Sequence, residues 1–431
     1  MTGTFISVGE SISLGNNCWT IYGTALASDK EFRLLGLWRD GLPVLELIKN
    51  SNRTISISFG IEGKKCIRLT TRLKEEKNNI RINCLGHKYQ LIVNERLEDE
   101  DWPVIPIILD GAECFCNNMQ ASIRGEASEE LMPYKIGETT NISKLTSDGI
   151  DCFFGDCMPL WHNGVYHLFY LYDRRRHGSK NGFAGHQWAH ISTTDLINWK
   201  RHPFAVTIDC VEEATFRTGS VIYYNNKFYA FYVTLRTDGK PSPVTYSVSD
   251  DGDYFVKSGK NFYLDDRYDN VGLRDPQVFL DNDGRLNMFL VTKMNCSDGT
   301  RKGCVLRFVG DDVDNWVQDE EPFWIIDIDE YPECVDYFCW NGKYYFSYCV
   351  HSVAHYMVSD NPFSGFKYVP HQLIGGNGFV VPKSAPFYDR RIAAAFSWTP
   401  YFGYAGELVF LEMLQEENGC LRFEIPRELI T

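Results

Sequence analysis

Three acidic side chains stand where an acid is costly. Asp156 lies near the head of the apolar run Gly155-Asp156-Cys157-Met158-Pro159-Leu160-Trp161, Asp275 opens Asp275-Pro276-Gln277-Val278-Phe279-Leu280, and Glu333 opens Glu333-Cys334-Val335-Asp336-Tyr337-Phe338. A carboxylate at the start of a strand built for burial costs free energy unless it has a partner or a task. These three precede turns at 163, 283 and 341 by seven, eight and eight residues. Grouped carboxylates are the minimum equipment for splitting a glycosidic bond: one gives a proton to the leaving oxygen, another serves as nucleophile or base. A single such Asp reads most simply as a structural acid paired with an Arg or a backbone amide. Three in matching positions reverse that reading.

The elements that must position them repeat along the chain. Asn163-Gly164 joins the first run to Val165-Tyr166-His167-Leu168-Phe169-Tyr170, and Asn-Gly between two such runs signals a hairpin because both turn positions want positive φ. Similar pairs meet at Asn225-Asn226, Asp283-Gly284, Asn341-Gly342 and, more weakly, Asp389-Arg390, with the turns at 163, 226, 283, 341 and 389 spaced by 63, 57, 58 and 48 residues. Five hairpins at near-regular intervals, each with room for two more strands, predict a five-bladed β-propeller. The first strand of each blade would line a central channel, and Asp156, Asp275 and Glu333 would converge at one end of it. Asp195 to Trp199 and Asp314 to Trp316 read as tight turns between outer strands, each Trp packing between blades.

Residues 1–140 carry short alternating segments such as Thr54-Ile55-Ser56-Ile57-Ser58-Phe59 and Ile80-Arg81-Ile82-Asn83-Cys84, the pattern of an antiparallel β-sandwich. No carboxylate or histidine cluster at catalytic spacing occurs there, so a lectin-like accessory domain that covers propeller surface is expected. A polar linker at 141–150 would lead into a propeller at 151–431. The fold class is therefore all-β: a five-bladed propeller with an N-terminal sandwich.

Composition narrows the function. With 431 residues, 44% hydrophobic and 14% aromatic, the chain has room for two aromatic-rich domains. A net charge of −14 argues against nucleic acid and against anionic membrane surfaces. No run of eighteen apolar residues exists to span a membrane. Met1 to Ser7 lacks a basic segment followed by an apolar run, so a cytoplasmic protein is expected. Fourteen cysteines without a Cys-x-x-Cys, the nearest pair being Cys114-x-Cys116, read as reduced and mostly buried thiols. No cofactor and no metal is expected. His186 and His190 share the four-residue spacing of a helical zinc pair but lie in a strand region without the Glu of His-Glu-x-x-His. Arg174-Arg175-Arg176 reads as a solvated loop that, with Arg217, would make the channel mouth basic. Nothing in the sequence bears on oligomeric state.

From about Asp151 to Leu429 the chain resembles glycoside hydrolase family 32, the β-fructofuranosidases and sucrose-6-phosphate hydrolases, and more loosely the family 43 pentosidases of similar fold. The resemblance is carried by Arg274-Asp275-Pro276, Glu333-Cys334, Trp188-Ala189-His190 followed by Asp195-Leu196 and Trp199, Thr218-Gly219-Ser220, and the closing Pro426-Arg427-Glu428-Leu429. It departs where the family's Asn-Asp-Pro-Asn-Gly is here Gly155-Asp156-Cys157-Met158-Pro159, where Arg217 stands in place of an aromatic with Phe216 before it, and where the sandwich precedes the propeller. The resemblance implies a retaining glycosidase acting on a small carbohydrate, most simply at a terminal β-fructosyl bond. Asp156 would be the nucleophile, Glu333 the acid/base, and Asp275 with Arg274 would hold ring hydroxyls. The substrate-binding set it implies is Arg274, Trp188, Phe216, Arg217, Ser220 and Trp161, with Trp188 either an aromatic wall or core. Asp156 must then be ionised among donors, and Glu333 protonated near neutrality. Asp336 would face the other way in a structural role. Two alternatives stay open: an inverting pentosidase such as an α-L-arabinofuranosidase, and a sugar-binding protein without catalysis. Carboxyl separations of about 5–5.5 Å and about 6.5–9.5 Å distinguish retaining from inverting sites.

Overall fold

The computed structural model describes residues 3–14, 18–27, 30–61, 64–85, 88–101, 107–127, 133–136, 143–146, 152–174, 185–210, 212–376, 378–399 and 403–430. Among them the fold is all-β, with one short 3₁₀ turn at Arg427–Leu429. The chain divides into two compact units, Met1–Glu130 with His177–Gly185 and Ile208–Glu213, and Leu131–Arg176 with His186–Thr207 and Ala214–Thr431.

In the first unit a six-stranded and a five-stranded antiparallel sheet share one hydrophobic core. Side chains alternate across a strand, and this chain uses that period: Trp19 and Ile21 on Cys18–Leu26, and Ile80 and Ile82 on Lys77–Leu85, are buried. Their neighbours Tyr22 and Arg81 stay partly exposed. Leu45 and Leu47 from Leu42–Lys49, and Ile57 and Phe59 from Thr54–Ile61, supply the core from the other sheet.

The second unit is built from five successive antiparallel meanders. The first runs Cys152–His162, Val165–Arg174, Gln187–Thr193, Asn198–Arg201; the second Ser220–Tyr224, Lys227–Arg236, Val244–Ser249, Val256–Lys257. The third runs Arg274–Leu280, Leu286–Asn295, Arg301–Gly310, Trp316–Gln318; the fourth Glu333–Trp340, Lys343–Val350, Val353–Ser359, Lys367–Leu373. The fifth runs Val380–Phe387, Arg390–Thr399, Gly403–Gln415, Leu421–Glu424. The turn chemistry read from the sequence is realised in the backbone. Asn163 and Gly164 sit at φ 47° and 78°, and Asn341 and Gly342 at 47° and 78°. That is the left-handed pair a two-residue hairpin demands.

Each meander packs on the next through large apolar side chains. Phe231 and Tyr246 of the second share a core with Leu290 and Leu306 of the third; Phe289 and Val305 of the third meet Tyr337 and Phe346 of the fourth. Trp199 is fully buried and stacks on Phe410 at 4.7 Å, and Trp316 meets Phe231 edge-on at 6.0 Å, so both turn tryptophans join neighbouring meanders. Contacts of this kind add roughly 0.5–1.5 kcal/mol each beyond the buried area. The fifth meander hydrogen-bonds to the first, with Phe154 opposite Gly406. Lys144–Leu145, inside the expected linker, pairs with the same Gly403–Gln415 strand.

Candidate active site

Four of the five meanders share a local irregularity at the head of the first strand. Pairing is interrupted between Phe154 and Cys157, Arg274 and Gln277, Glu333 and Asp336, and Val380 and Lys383, so two residues oppose one in each case. These are β-bulges, which re-aim side chains. In three of them the first extra residue takes a left-handed conformation: Asp275 at φ 54°, Cys334 at 53° and Val381 at 46°. A β-branched residue there is strained, and such strain gathers at functional sites.

The bulges bring the three acids together, each from a different place within the motif. Asp156 is the second extra residue, Asp275 the first, and Glu333 the last paired residue before the bulge. Cys334 ties them. Its N–H donates to Asp275 Oδ2 at 2.7 Å, and its thiol donates to Asp156 Oδ2 at 3.3 Å. Glu333 precedes it in the chain and pairs with Arg274, which in turn precedes Asp275.

The surroundings differ sharply. Asp156 is ringed by donors: Tyr404 Oη to Oδ1 at 2.7 Å, and the Thr218 hydroxyl and Cys334 thiol to Oδ2. Asp275 is buried, and that burial raises its carboxyl above the usual range against the opposing pull of Arg274 and the Cys334 N–H. Glu333 is raised as well, first by burial and then by the negative charge of Asp275, with Arg274 opposing. Its side chain keeps 37% of its surface exposed, so a ligand can reach it. Arg274 is clamped on three sides: Nε donates to the Gly272 carbonyl at 2.9 Å, the guanidinium lies 3.9 Å over the Tyr331 ring, and Glu333 takes Nη1. Tyr331 is itself fixed by donating to Asp269 at 2.5 Å.

Arg217 lies beside this group. Burial, then the like charge of Arg274, brings its guanidinium down to about 10, with Asp275, Tyr331 and Glu333 opposing. No acid bonds to it among the described residues, and its Nε is buried without a partner. Arg174's side chain, Arg175 and Arg176 lie outside the described residues.

Four of the residues taken as substrate-binding are engaged in packing or hydrogen bonds within the fold. Trp161 sits five residues along the strand from Asp156, about 17 Å at 3.3 Å per residue, and packs edge-on against Phe387 and Tyr388 beside the hairpin turn. Trp188 is fully buried, donating from Nε1 to the Arg217 carbonyl at 3.1 Å, so it is core that holds Arg217's backbone. Phe216 is also fully buried, edge-on to Tyr232. The Ser220 hydroxyl donates to the Pro276 carbonyl and accepts from the Val278 N–H, latching the second meander to the third. Asp336 fills the structural role expected of it: it accepts from Gln277 and from the Ser384 N–H and hydroxyl.

The sequence reading missed Tyr404, Thr218 as a partner of Asp156, and Lys383. Lys383 is a buried cation whose Nζ donates to the Gly219 carbonyl at 3.0 Å and whose charge steadies Asp275 and Asp336. A lone Lys inside Val380-Val381-Pro382-Lys383-Ser384 carries the same signal as an acid in an apolar strand.

His190 is stacked between Phe169 at 4.1 Å and His202 at 4.0 Å. His190, His202 and Asp253 bring possible ligand atoms within 4.8 Å of one another. The two imidazoles lie only 14° from parallel, however, so their in-plane lone pairs do not converge on one ion. Hydrogen bonding occupies His202 instead, with Ser192 on Nε2 at 2.7 Å and Asp253 on Nδ1. His186 lies against the Tyr404 ring at 4.9 Å.

Comparison with known proteins matches this architecture. The chain is similar to the sucrose-6-phosphate hydrolase of Bacillus subtilis (strain 168), 28% identical over 163 residues that make up 36% of this chain and 32% of that relative. Its fold is similar to a solved fructan 1-exohydrolase IIa of Cichorium intybus, with TM-score 0.54, 17% identity and coverage of 66% of this chain and 60% of that one. It is also similar to the sucrose-6-phosphate hydrolase of Lactobacillus gasseri, with TM-score 0.53, 16% identity and coverage of 64% and 61%. Each match thus spans less than two thirds of the relative. Residues 158–389, more than half of the chain, match the profile described as the glycosyl hydrolases family 32 N-terminal domain; the match takes in Asp275 and Glu333 and starts two residues after Asp156. The chain belongs to glycoside hydrolase family 32.

Proposed function

We propose that this protein is a retaining glycosidase that cleaves a terminal furanosyl bond, most simply a β-fructosyl bond of a small sugar, on a five-bladed propeller that follows an accessory sandwich. The observation that carries the reading is the contrast between Asp156 and Glu333. Both Asp156 oxygens accept hydrogen bonds from side-chain donors, while burial and the charge of Asp275 raise the Glu333 carboxyl. Carboxyl groups with environments pushed apart in this way divide into nucleophile and acid.

In the first step an Asp156 oxygen bonds to the anomeric carbon as the glycosidic C–O bond breaks, and the departing oxygen takes the Glu333 proton. In the second, Glu333 removes a proton from water, whose oxygen displaces Asp156. Asp275 and Arg274 would hold ring hydroxyls through both steps. The activities of the relatives, on sucrose 6-phosphate and on fructan, support a fructosyl substrate. The test is a panel of fructosides and arabinosides, with the first-released anomer followed by NMR for wild type and Asp156→Ala. Retention with fructosides and loss in Asp156→Ala are expected. Inversion, or persistent turnover in the variant, would refute the assignment.

A further inference from the structure

Gly155 stands where the family's motif has Asn, immediately before the residue assigned as nucleophile. Its φ is not in the left-handed region, so no backbone demand accounts for glycine. Space does. A Cβ on residue 155 would lie 2.5 Å from Tyr404 Oη, a distance real Cβ atoms essentially never show, and 3.0 Å from two ring carbons of the same side chain.

Tyr404 uses that space in two ways. Its hydroxyl donates to Asp156 Oδ1 at 2.7 Å and accepts from the backbone N–H of Asp156 at 3.1 Å. The hydroxyl therefore closes a small ring between that residue's main chain and its own carboxylate. With Thr218 on the other oxygen, the plane of the carboxylate is fixed. The Tyr404 ring is held in turn by His186 at 4.9 Å and Phe396 at 5.4 Å. Burial, then the charge of Asp156, raises the hydroxyl well above its ordinary value, so it remains a donor.

We infer that Tyr404 is a positioning residue for Asp156, and that position 155 is glycine so that Tyr404 can reach it. The inference rests on the assignment of Asp156 above. Tyr404 acts through that carboxylate rather than on the sugar, so its loss is felt in the chemical step.

The experiment compares Tyr404→Phe, Gly155→Ala, the double variant and Asp156→Ala in the full chain, with kcat, KM and thermal melting for each. Tyr404→Phe keeps the ring and loses both bonds of the hydroxyl to Asp156, one of them charge-assisted, so kcat should fall about ten- to a hundredfold with KM little changed. Gly155→Ala should lose a similar factor, because the new methyl group must displace the hydroxyl. Both changes remove the same hydroxyl contacts, so the double variant should lose little more than the worse single one. A kcat for Tyr404→Phe within about twofold of wild type, with Asp156→Ala inactive, overturns the inference and leaves the nucleophile assignment standing. Losses that multiply in the double variant overturn it too. An active Asp156→Ala overturns both. Should Tyr404→Phe fail to fold, Gly155→Ala carries the same test from the other partner.

Discussion

Replacing Glu333, the proposed acid, with Gln would separate proton donation from everything else that side chain does. Arg274 bonds to Oε1, so the amide oxygen of Gln can keep that partner while having no proton to give. Stability should therefore change little. The pair is partly open to solvent, 17% at Arg274 and 37% at Glu333, and screened pairs contribute at most about 1 kcal/mol. For a chain of 431 residues that is a melting shift of about 1 °C or less. Catalysis should change greatly, but only where a proton is needed. General acid assistance is typically a factor of about 10²–10⁴, or about 3–5 kcal/mol of barrier at 1.36 kcal/mol per decade. With a sugar alkoxide as leaving group, kcat should fall by that factor. An aryl glycoside with an acidic phenol departs unaided, so its first step should fall less than about tenfold and the glycosyl intermediate should accumulate. The assay is steady-state and pre-steady-state kinetics on both substrates, with a burst of phenol sought in the variant. Equal losses on the two substrates would show that Glu333 is not the proton donor.

Three further outcomes are expected. Gly219→Ala should be badly tolerated, because a Cβ there would lie 1.9 Å from the Phe231 carbonyl oxygen and 3.0 Å from Trp188; overpacking of this kind costs about 1–3 kcal/mol, read as a lower melting temperature with reduced activity, and an unshifted melt would contradict the packing described. The stack of His167, His190 and His202 should make the protein acid-labile: burial is the largest cause lowering all three, His167 to about 4, while Asp253 and Asp251 pull the other way on His202 and Lys200 reinforces the shift. An imidazole held neutral contributes its full stability above the unfolded value near 6.5 and loses it as pH falls toward 4, on the order of 3 kcal/mol for His167, so denaturant unfolding from pH 7 to 4 should show a fall that His167→Phe flattens. Arg217→Ala should raise KM for a phosphorylated sugar far more than for its neutral analogue, since no acid bonds to its guanidinium among the described residues; equal changes would exclude an anionic subsite.

What could be read from the sequence was whatever one strand and its turn announce by themselves. Asp156, Asp275 and Glu333 each advertise a charge in an apolar run, and Asn163-Gly164 and Asn341-Gly342 announce hairpins, so the acids and their convergence were legible. The bulges were not. Counting back from a turn treats the strand as regular, and it put the three acids at matching positions, whereas they occupy three different places around the interruption. The donors on Asp156 were also hidden, because Thr218 and Tyr404 come from 62 and 248 residues away and carry no local mark of their task. An aromatic beside a motif looks the same whether it faces a sugar or the core, which left Trp188 open to both readings and set Phe216 beside the sugar; both are buried.

The pairing of Phe154 with Gly406 joins the last meander to the first, and it falls one residue from Gly155 and two from both Asp156 and Tyr404. The proposed nucleophile thus sits on the seam of the fold, its carboxylate spanned by hydroxyls from two separate meanders. Parts of a fold open locally before the whole structure does, and the seam is a place where such opening would reach Asp156. Activity should then behave as a gauge of seam integrity. On heating, inactivation would precede the loss of bulk β structure, and the two curves would separate further as the seam weakened. Proteolytic nicking near the last meander would silence the proposed activity while leaving most of the sheets, and their spectroscopic signature, in place.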